Sequence, residues 1–234
     1  MIGGDFMEEK KFRHEIKHYI NMSDYLSIRN RLTHIMHIDK NANKKNEYII
    51  RSLYFDNLDD KVLMEKINGI NHREKFRIRF YNNDHSFIRL EKKSKLNGLC
   101  LKESAPLTKE QCEKIIAGDI EFLMDSNEIL FKEFYTKLKG QLLKPKTIVD
   151  YTREAYIYSV GNVRITFDKN IKTGVRSTDI FNENLPTIGS IYDDFVVLEV
   201  KYDEFLPEVI QHIIQTNYRR ASAISKYALS RRYG

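Results

Sequence analysis

Charge and apolarity alternate residue by residue along five short segments, and a period of two commits those segments to β-strands with one ionic and one apolar face. In Phe12–His18, Arg13, Glu15 and Lys17 lie opposite Phe12, His14 and Ile16. Lys75, Arg77 and Arg79 oppose Phe76, Ile78 and Phe80; Arg89, Glu91 and Lys93 oppose Ile88 and Leu90. Further on, Arg164, Thr166 and Asp168 oppose Val163, Ile165 and Phe167, and Glu199 and Lys201 oppose Leu198, Val200 and Tyr202.

For a single strand, a wet charged face of an ordinary antiparallel sheet accounts for such a pattern. The five together are harder to explain that way, because the ionic faces favour Arg and Lys and carry few carboxylates. Two unit cations about 6 Å apart repel by roughly 3 kcal/mol at an effective dielectric near 20. Bulk water tolerates such rows, and so does a polyanion filling the space between them. An antiparallel sheet closed into a barrel would put the ionic face inside and the apolar face against surrounding helices. A cationic lumen of that kind is a phosphate site, with Arg as bidentate donor and Lys as point charge. Arg13, Lys75 and Arg89 are phosphate-binding candidates on these faces. Glu15, Glu91 and Glu199 are the metal-ligand candidates, since Mg²⁺ or Mn²⁺ bridging phosphates needs only one or two protein carboxylates. Glu199, central in Val-Val-Leu-Glu-Val-Lys, is the foremost of these.

The remaining organisation is α+β. Strands are also expected at Tyr48–Asp56 and Val149–Ser159, and a hairpin around Asn82-Asn83-Asp84. Helices are expected from Ser23 to about Met36, from Thr108 (a capping box with Gln111) to Gly118, from Ser126 through Leu142, and from Pro207 as one long C-terminal helix to Arg231. Residues 1–10 read as a flexible leader and 11–234 as a single domain, with no repeat or Pro/Gly-rich linker dividing them. The chain has 234 residues with Lys+Arg 39 against Asp+Glu 33, and its net charge of +6 points to an anionic partner. No apolar run is long enough to span a bilayer, and Cys100 and Cys112 form no paired motif, so a reduced cytoplasmic setting is expected.

Two other readings carry less. His14-Glu15-Ile16-Lys17-His18 satisfies the HExxH zinc pattern, but on a strand its histidines stand about 13 Å apart, not one helical turn. No Gly-rich phosphate loop is present, which argues against P-loop and kinase chemistry. The basic residues alternate with apolar ones instead of flanking exposed aromatics, so no nucleic acid polymer is expected as partner. Most of the 14 tyrosines are assigned to core or tunnel wall.

FRHEIKH, SLYFDN, REKFRIRFY, LEKKSK, DYTREAY, VRITFDK, LEVKYD and SAISKYALSRR occur in an order that resembles the vacuolar transporter chaperone (VTC) catalytic domain, over nearly the whole chain. The likeness implies a triphosphate tunnel metalloenzyme related to CYTH triphosphatases: an antiparallel β tunnel barrel with flanking helices, making polyphosphate from ATP with Mn²⁺ or Mg²⁺. It implies that Lys17 ends the first-strand motif, that Arg77 and Arg79 form a phosphate clamp, and that Lys93, Arg153, Arg164 and Lys201 contact phosphate. Glu199 would be a metal ligand, and Lys226 would reach the tunnel from the C-terminal helix. Lys17, Arg77, Arg79 and Lys226 are thereby the catalytic candidates. The first strand departs from the CYTH pattern, with Arg13 where those enzymes carry a second glutamate. ATP and polyphosphate are the implied partners, with a membrane protein as a further one. Hydrolysis of a triphosphate, or a phosphate-binding module without turnover, is the alternative.

Overall fold

The computed structural model describes residues 12–190, 195–215 and 220–233; the expected leader at 1–10 lies outside them. Ten strands form one sheet: β1 His14–Asn21, β2 His37–Ile38, β3 Glu47–Asp56, β4 Arg73–Tyr81, β5 Asp84–Leu96, β6 Leu99–Leu107, β7 Lys144–Tyr158, β8 Val163–Thr173, β9 Ile188–Gly189 and β10 Phe195–Tyr202. Eight of them run in the order β1-β10-β8-β7-β3-β4-β5-β6, every neighbouring pair antiparallel, with β2 on β7 and β9 on β8. The sheet curls until its ends approach. Arg13 N donates to Cys100 O at 2.9 Å and Cys100 N to Arg13 O at 3.0 Å, a single bridge between the segment entering β1 and the start of β6.

Turn chemistry sets two of the registers. The β4–β5 hairpin turns on Asn82 and Asn83 at φ 52° and 55°, and the β5–β6 hairpin on Asn97 and Gly98 at φ 48° and 87°. Positive φ at both central residues gives a two-residue turn whose twist matches the strands, and asparagine and glycine tolerate it.

The curl sends the apolar faces outward, where helices cover them. Phe76, Ile78, Phe80, Ile88 and Leu90 pack against α3 (Lys109–Ala117), α4 (Phe122–Asp125) and α5 (Ile129–Gly140) through Cys112, Ile115, Leu123, Phe131 and Phe134. Val163, Ile165, Phe167, Leu198 and Val200 pack under α1 (Met22–Leu32) and α6 (Glu208–Ile214). Helix α1 begins two residues ahead of expectation: Asn21, not Ser23, is its N-cap, with Asp24 completing a capping box. Thr108 and Gln111 form the expected box on α3, and Gly118 ends it at φ 87°. Cys100 and Cys112 are free thiols.

The C-terminal region corrects the expectation of one long helix. Helix α6 stops at Ile214, residues 220–225 form neither helix nor strand, and a separate α7 spans Lys226–Ser230. The cause lies in β1, whose edge needs partners: Ser222 N donates to Lys17 O at 2.8 Å, and Lys17 Nζ to Ile224 O at 3.3 Å. Ser225 then caps α7, its hydroxyl accepting from Ala228 N. A seventh short helix, α2 (Lys61–Ile67), sits beside β4.

Candidate active site

The inward faces enclose a cavity of about 430 Å³ lined by eleven cationic side chains and three carboxylates. Strand β1 supplies Glu15 and Lys17; β4 supplies Lys75, Arg77 and Arg79; β5 gives Glu91 and Lys93. Strand β6 adds Lys102, β7 Arg153, β8 Arg164, β10 Glu199 and Lys201, and α7 Lys226. Arg13 stands at one rim, paired with Asp203 at 2.8 Å. Tyr48, Tyr54, Tyr81 and Tyr151 complete the wall. Their rings face the cations: Lys226 Nζ lies 4.7 Å from the Tyr151 centroid, and the Arg77 guanidinium 5.7 Å from that of Tyr54.

Two ionic groupings occupy the lumen. In the first, Lys17 bridges Glu15 and Glu199 at 2.9 and 3.0 Å, Lys201 pairs with Glu199 at 2.8 Å, and Lys93 with Glu15. Behind it, Arg153 grips buried Asp168 through Nε at 2.6 Å and Nη2 at 2.8 Å, and Lys226 pairs with the same carboxylate. In the second, Glu91 receives Arg77 and Lys102, each at 2.6 Å, with Arg79 at 3.6 Å. Arg79, only 3 % exposed, is aimed by Ser52 Oγ at 3.0 Å and the Tyr151 hydroxyl at 2.8 Å. Burial alone would raise the pKa of Glu15, Glu91 and Glu199; the surrounding lysines and arginines outweigh it and hold all three below the carboxylate range. Lys17 is likewise opposed by burial, but Glu15 and Glu199 keep it firmly charged.

Lys75 differs. Among the described residues it is a lumen lysine with no carboxylate partner, its one hydrogen bond reaching Ser225 Oγ at 3.5 Å. Burial, reinforced by Lys93, Lys17 and Arg77, brings its pKa down to about 7.

The VTC domain family profile matches residues 12–233. The chain belongs to the VTC domain family. Among solved structures it is similar to a candidate adenylyl cyclase from Hippeastrum with dominant triphosphatase activity, at 15% identity and TM-score 0.55 over 94% of this chain and 95% of that one. A candidate adenylate cyclase from Bacillus halodurans follows at 13% identity and TM-score 0.50, covering 87% and 86%. The shared fold is the triphosphate tunnel. No curated protein matches the chain in sequence.

Of the candidate residues read from the sequence, the VTC domain brings Arg13, Glu15, Lys17, Lys75, Arg77, Arg79, Glu91, Lys93, Arg153, Arg164, Glu199, Lys201 and Lys226 to one cavity. Arg89 is not among them. It shares the inward face of β5 but lies beyond the lumen, in an adjoining groove, with its Nε donating to Ser104 Oγ at 3.1 Å. Arg164 sits between the two spaces, bonded to buried Asp39 at 2.5 Å and the Tyr48 hydroxyl at 2.8 Å. Sequence reading missed Lys102, because β6 lacks a clean alternation; the signal that could have found it was Asn97-Gly98, a hairpin turn feeding a further strand. His14 and His18 lie on β1 as expected, not on a helix.

A divalent metal fits part of this arrangement. Glu15 and Glu199 share Lys17 between them, and the buried hydroxyl of Thr166, the register neighbour of Glu199, has no protein partner. Two carboxylates and an unpaired hydroxyl suit Mg²⁺ or Mn²⁺, which completes its shell with phosphate oxygens and water. Among the described residues no group of three or more His, Cys, Asp or Glu side chains forms a metal cage; Glu91 belongs to the other ionic grouping, with Arg77 and Lys102, and shares no cation at salt-bridge distance with Glu15 or Glu199. No helix among them is long and apolar enough to cross a membrane.

Proposed function

We propose that this VTC domain transfers the terminal phosphoryl group of a nucleoside triphosphate to the end of a growing polyphosphate chain. The observation that carries this reading is the excess of cations over carboxylates in an enclosed lumen, a combination that costs stability unless a polyanion occupies it. A second observation favours polymerisation over hydrolysis. The lumen continues into further cavities at both ends, sharing Tyr81, Lys102 and Arg164 with one and Lys17, Lys75 and Lys93 with the other. A chain can therefore thread through while a nucleotide enters from the opposite side.

In the transfer, a terminal oxygen of the chain attacks the γ-phosphorus, and the bond from that phosphorus to the β-bridging oxygen breaks. The nucleoside diphosphate leaves with the electron pair. Arg77 and Arg79 hold equatorial oxygens by planar, charge-assisted bonds. Arg153 and Lys226, fixed by Asp168, hold the neighbouring phosphates in line. Lys17, Lys93 and Lys201 offset the charge of donor and acceptor as they approach. A metal ion held by Glu15 and Glu199 would add charge neutralisation between phosphate oxygens. Little covalent chemistry falls to the protein; positioning and electrostatics supply the rate.

Triphosphate hydrolysis, with water as the nucleophile in the same lumen, is the second reading, and the activity of the Hippeastrum neighbour favours it. Incubating the purified protein with ATP and Mn²⁺ separates the two. Long chains on a gel that acid breaks down to free phosphate support the polymerase; free phosphate with no chains supports the hydrolase. No product of either kind, with Mg²⁺ or Mn²⁺, would overturn both.

A further inference from the structure

The two ends of the tunnel are chemically unlike, and the difference bears on which part of a substrate goes where. One end, beneath Ser222–Ser225, adds Lys66, Arg73 and Lys95 to the lumen lysines and holds only Glu15 and Glu74 as carboxylates. The other opens into a groove of about 740 Å³ in which Arg89, Lys102 and Arg164 are matched by Asp39, Asp84 and Glu91. That groove also contains Phe87, an aromatic ring left 53% exposed.

We propose that the Phe87 groove is a nucleoside subsite, so that the triphosphate enters the lumen from this end with its base and sugar left behind. The proposal rests on the triphosphate reading above and deepens it. A nucleoside is uncharged and offers a flat π-face. A charge-balanced groove with an exposed aromatic suits it, whereas the lysine-rich end suits an anion. The Arg89 guanidinium lies 5.3 Å from the Phe87 centroid, and Tyr81 is tilted against the same ring at 6.4 Å. Together they make a stacking platform of the kind that binds bases without reading their edges. Asp84, at the hairpin turn, places a solvent-facing carboxylate in the groove as an acceptor for a sugar hydroxyl. The groove joins the lumen directly, since Tyr81, Lys102 and Arg164 line both. This also gives Arg89 a place: it shares the face of the phosphate-facing row but stands where the base would be.

The test compares ATP with inorganic tripolyphosphate, which has the phosphates and no nucleoside. Dissociation constants for both are measured by calorimetry on the wild type, Phe87→Ala and Phe87→Tyr. Phe87→Ala is expected to weaken ATP by about tenfold, the scale of losing one stacked base, and to leave tripolyphosphate unchanged. Phe87→Tyr is expected to behave like the wild type toward both. Equal weakening of both ligands, or of neither, would overturn the subsite. The outcome is distinguishable from failure of the enzymatic reading: a wild type that binds ATP without turning it over loses the chemistry but keeps the comparison. A wild type that binds neither ligand loses both.

Discussion

Lys92 and Lys93 are consecutive residues of β5 and live in opposite electrostatic worlds. Lys92 points outward, where Glu74, Glu103 and Glu133 surround it, and these outweigh its burial to raise its pKa. Lys93 points into the lumen, where its cross-strand neighbours are Lys75 on β4 and Lys102 on β6. Burial and then Lys17 lower its pKa, although it pairs with Glu15. Like charges abreast on a sheet destabilise it, so three lysines in a row make no sense as scaffolding. The outer lysine is matched by its carboxylate neighbours, whereas the inner row is left with an excess of positive charge that a bound anion would offset. An imbalance of charge marks a site better than the presence of charge does.

The comparison breaks most visibly at Arg79. Arg79→Met removes a guanidinium held by Ser52 and Tyr151 and is expected to cut turnover by about 10²–10³, the range for losing one preorganised charge-stabilising donor. Its thermal midpoint should hold or rise, because one of several crowded cations has gone while Glu91 keeps Arg77 and Lys102. A variant that unfolds, or one with full activity, would show that the inner row is structural after all. The two β5 lysines give the next largest contrast. Lys93→Met should lower turnover by about tenfold to a hundredfold with stability intact. Lys92→Met should leave turnover alone and cost about 1–2 kcal/mol in urea unfolding, since three partly exposed glutamates lose their shared partner. Exchange of these two phenotypes would overturn the assignment of faces.

How much of this was legible in the sequence follows from what alternation can encode. Parity placed Lys75, Arg77 and Arg79 opposite Phe76, Ile78 and Phe80, and that division is the one between lumen and helix-covered core. Parity fixes a face but not a depth, which is why Arg89 shares the inward-facing row yet lies outside the lumen. Tyr54 and Tyr151 could not be placed by pattern, because tyrosine suits a core and a polar wall equally. Asp39, which orients Arg164, sits just past the short β2, and no local signal links it to β8. The C-terminal segment misled because Ile210, Ile213, Ile214 and Ile224 keep helical spacing while the demand of the β1 edge for partners is a tertiary fact.

Lys75 allows the contrast to be sharpened by pH. Its folded pKa is about 7 against an ordinary 10.5, so below pH 7 it is charged whether the chain is folded or not. Between these values the unfolded chain holds a proton that the folded one releases, and stability from this group therefore rises with pH across that window. Phosphate affinity runs the other way, because the anion is drawn to the charged form. Deprotonation of Lys75 also relaxes its pull on the neighbouring Tyr54 phenol, whose pKa burial would raise but Arg77, Lys75 and Arg79 together bring down. For one linked proton, tripolyphosphate binding should weaken by about tenfold from pH 7 to 8.5. Lys75→Arg should flatten much of that slope, since a guanidinium stays charged throughout. The ligand's own titration is common to both proteins, so the difference between the two slopes is the readout. Parallel slopes would mean that Lys75 carries its charge like its neighbours and that the lumen holds no lysine tuned to neutral pH.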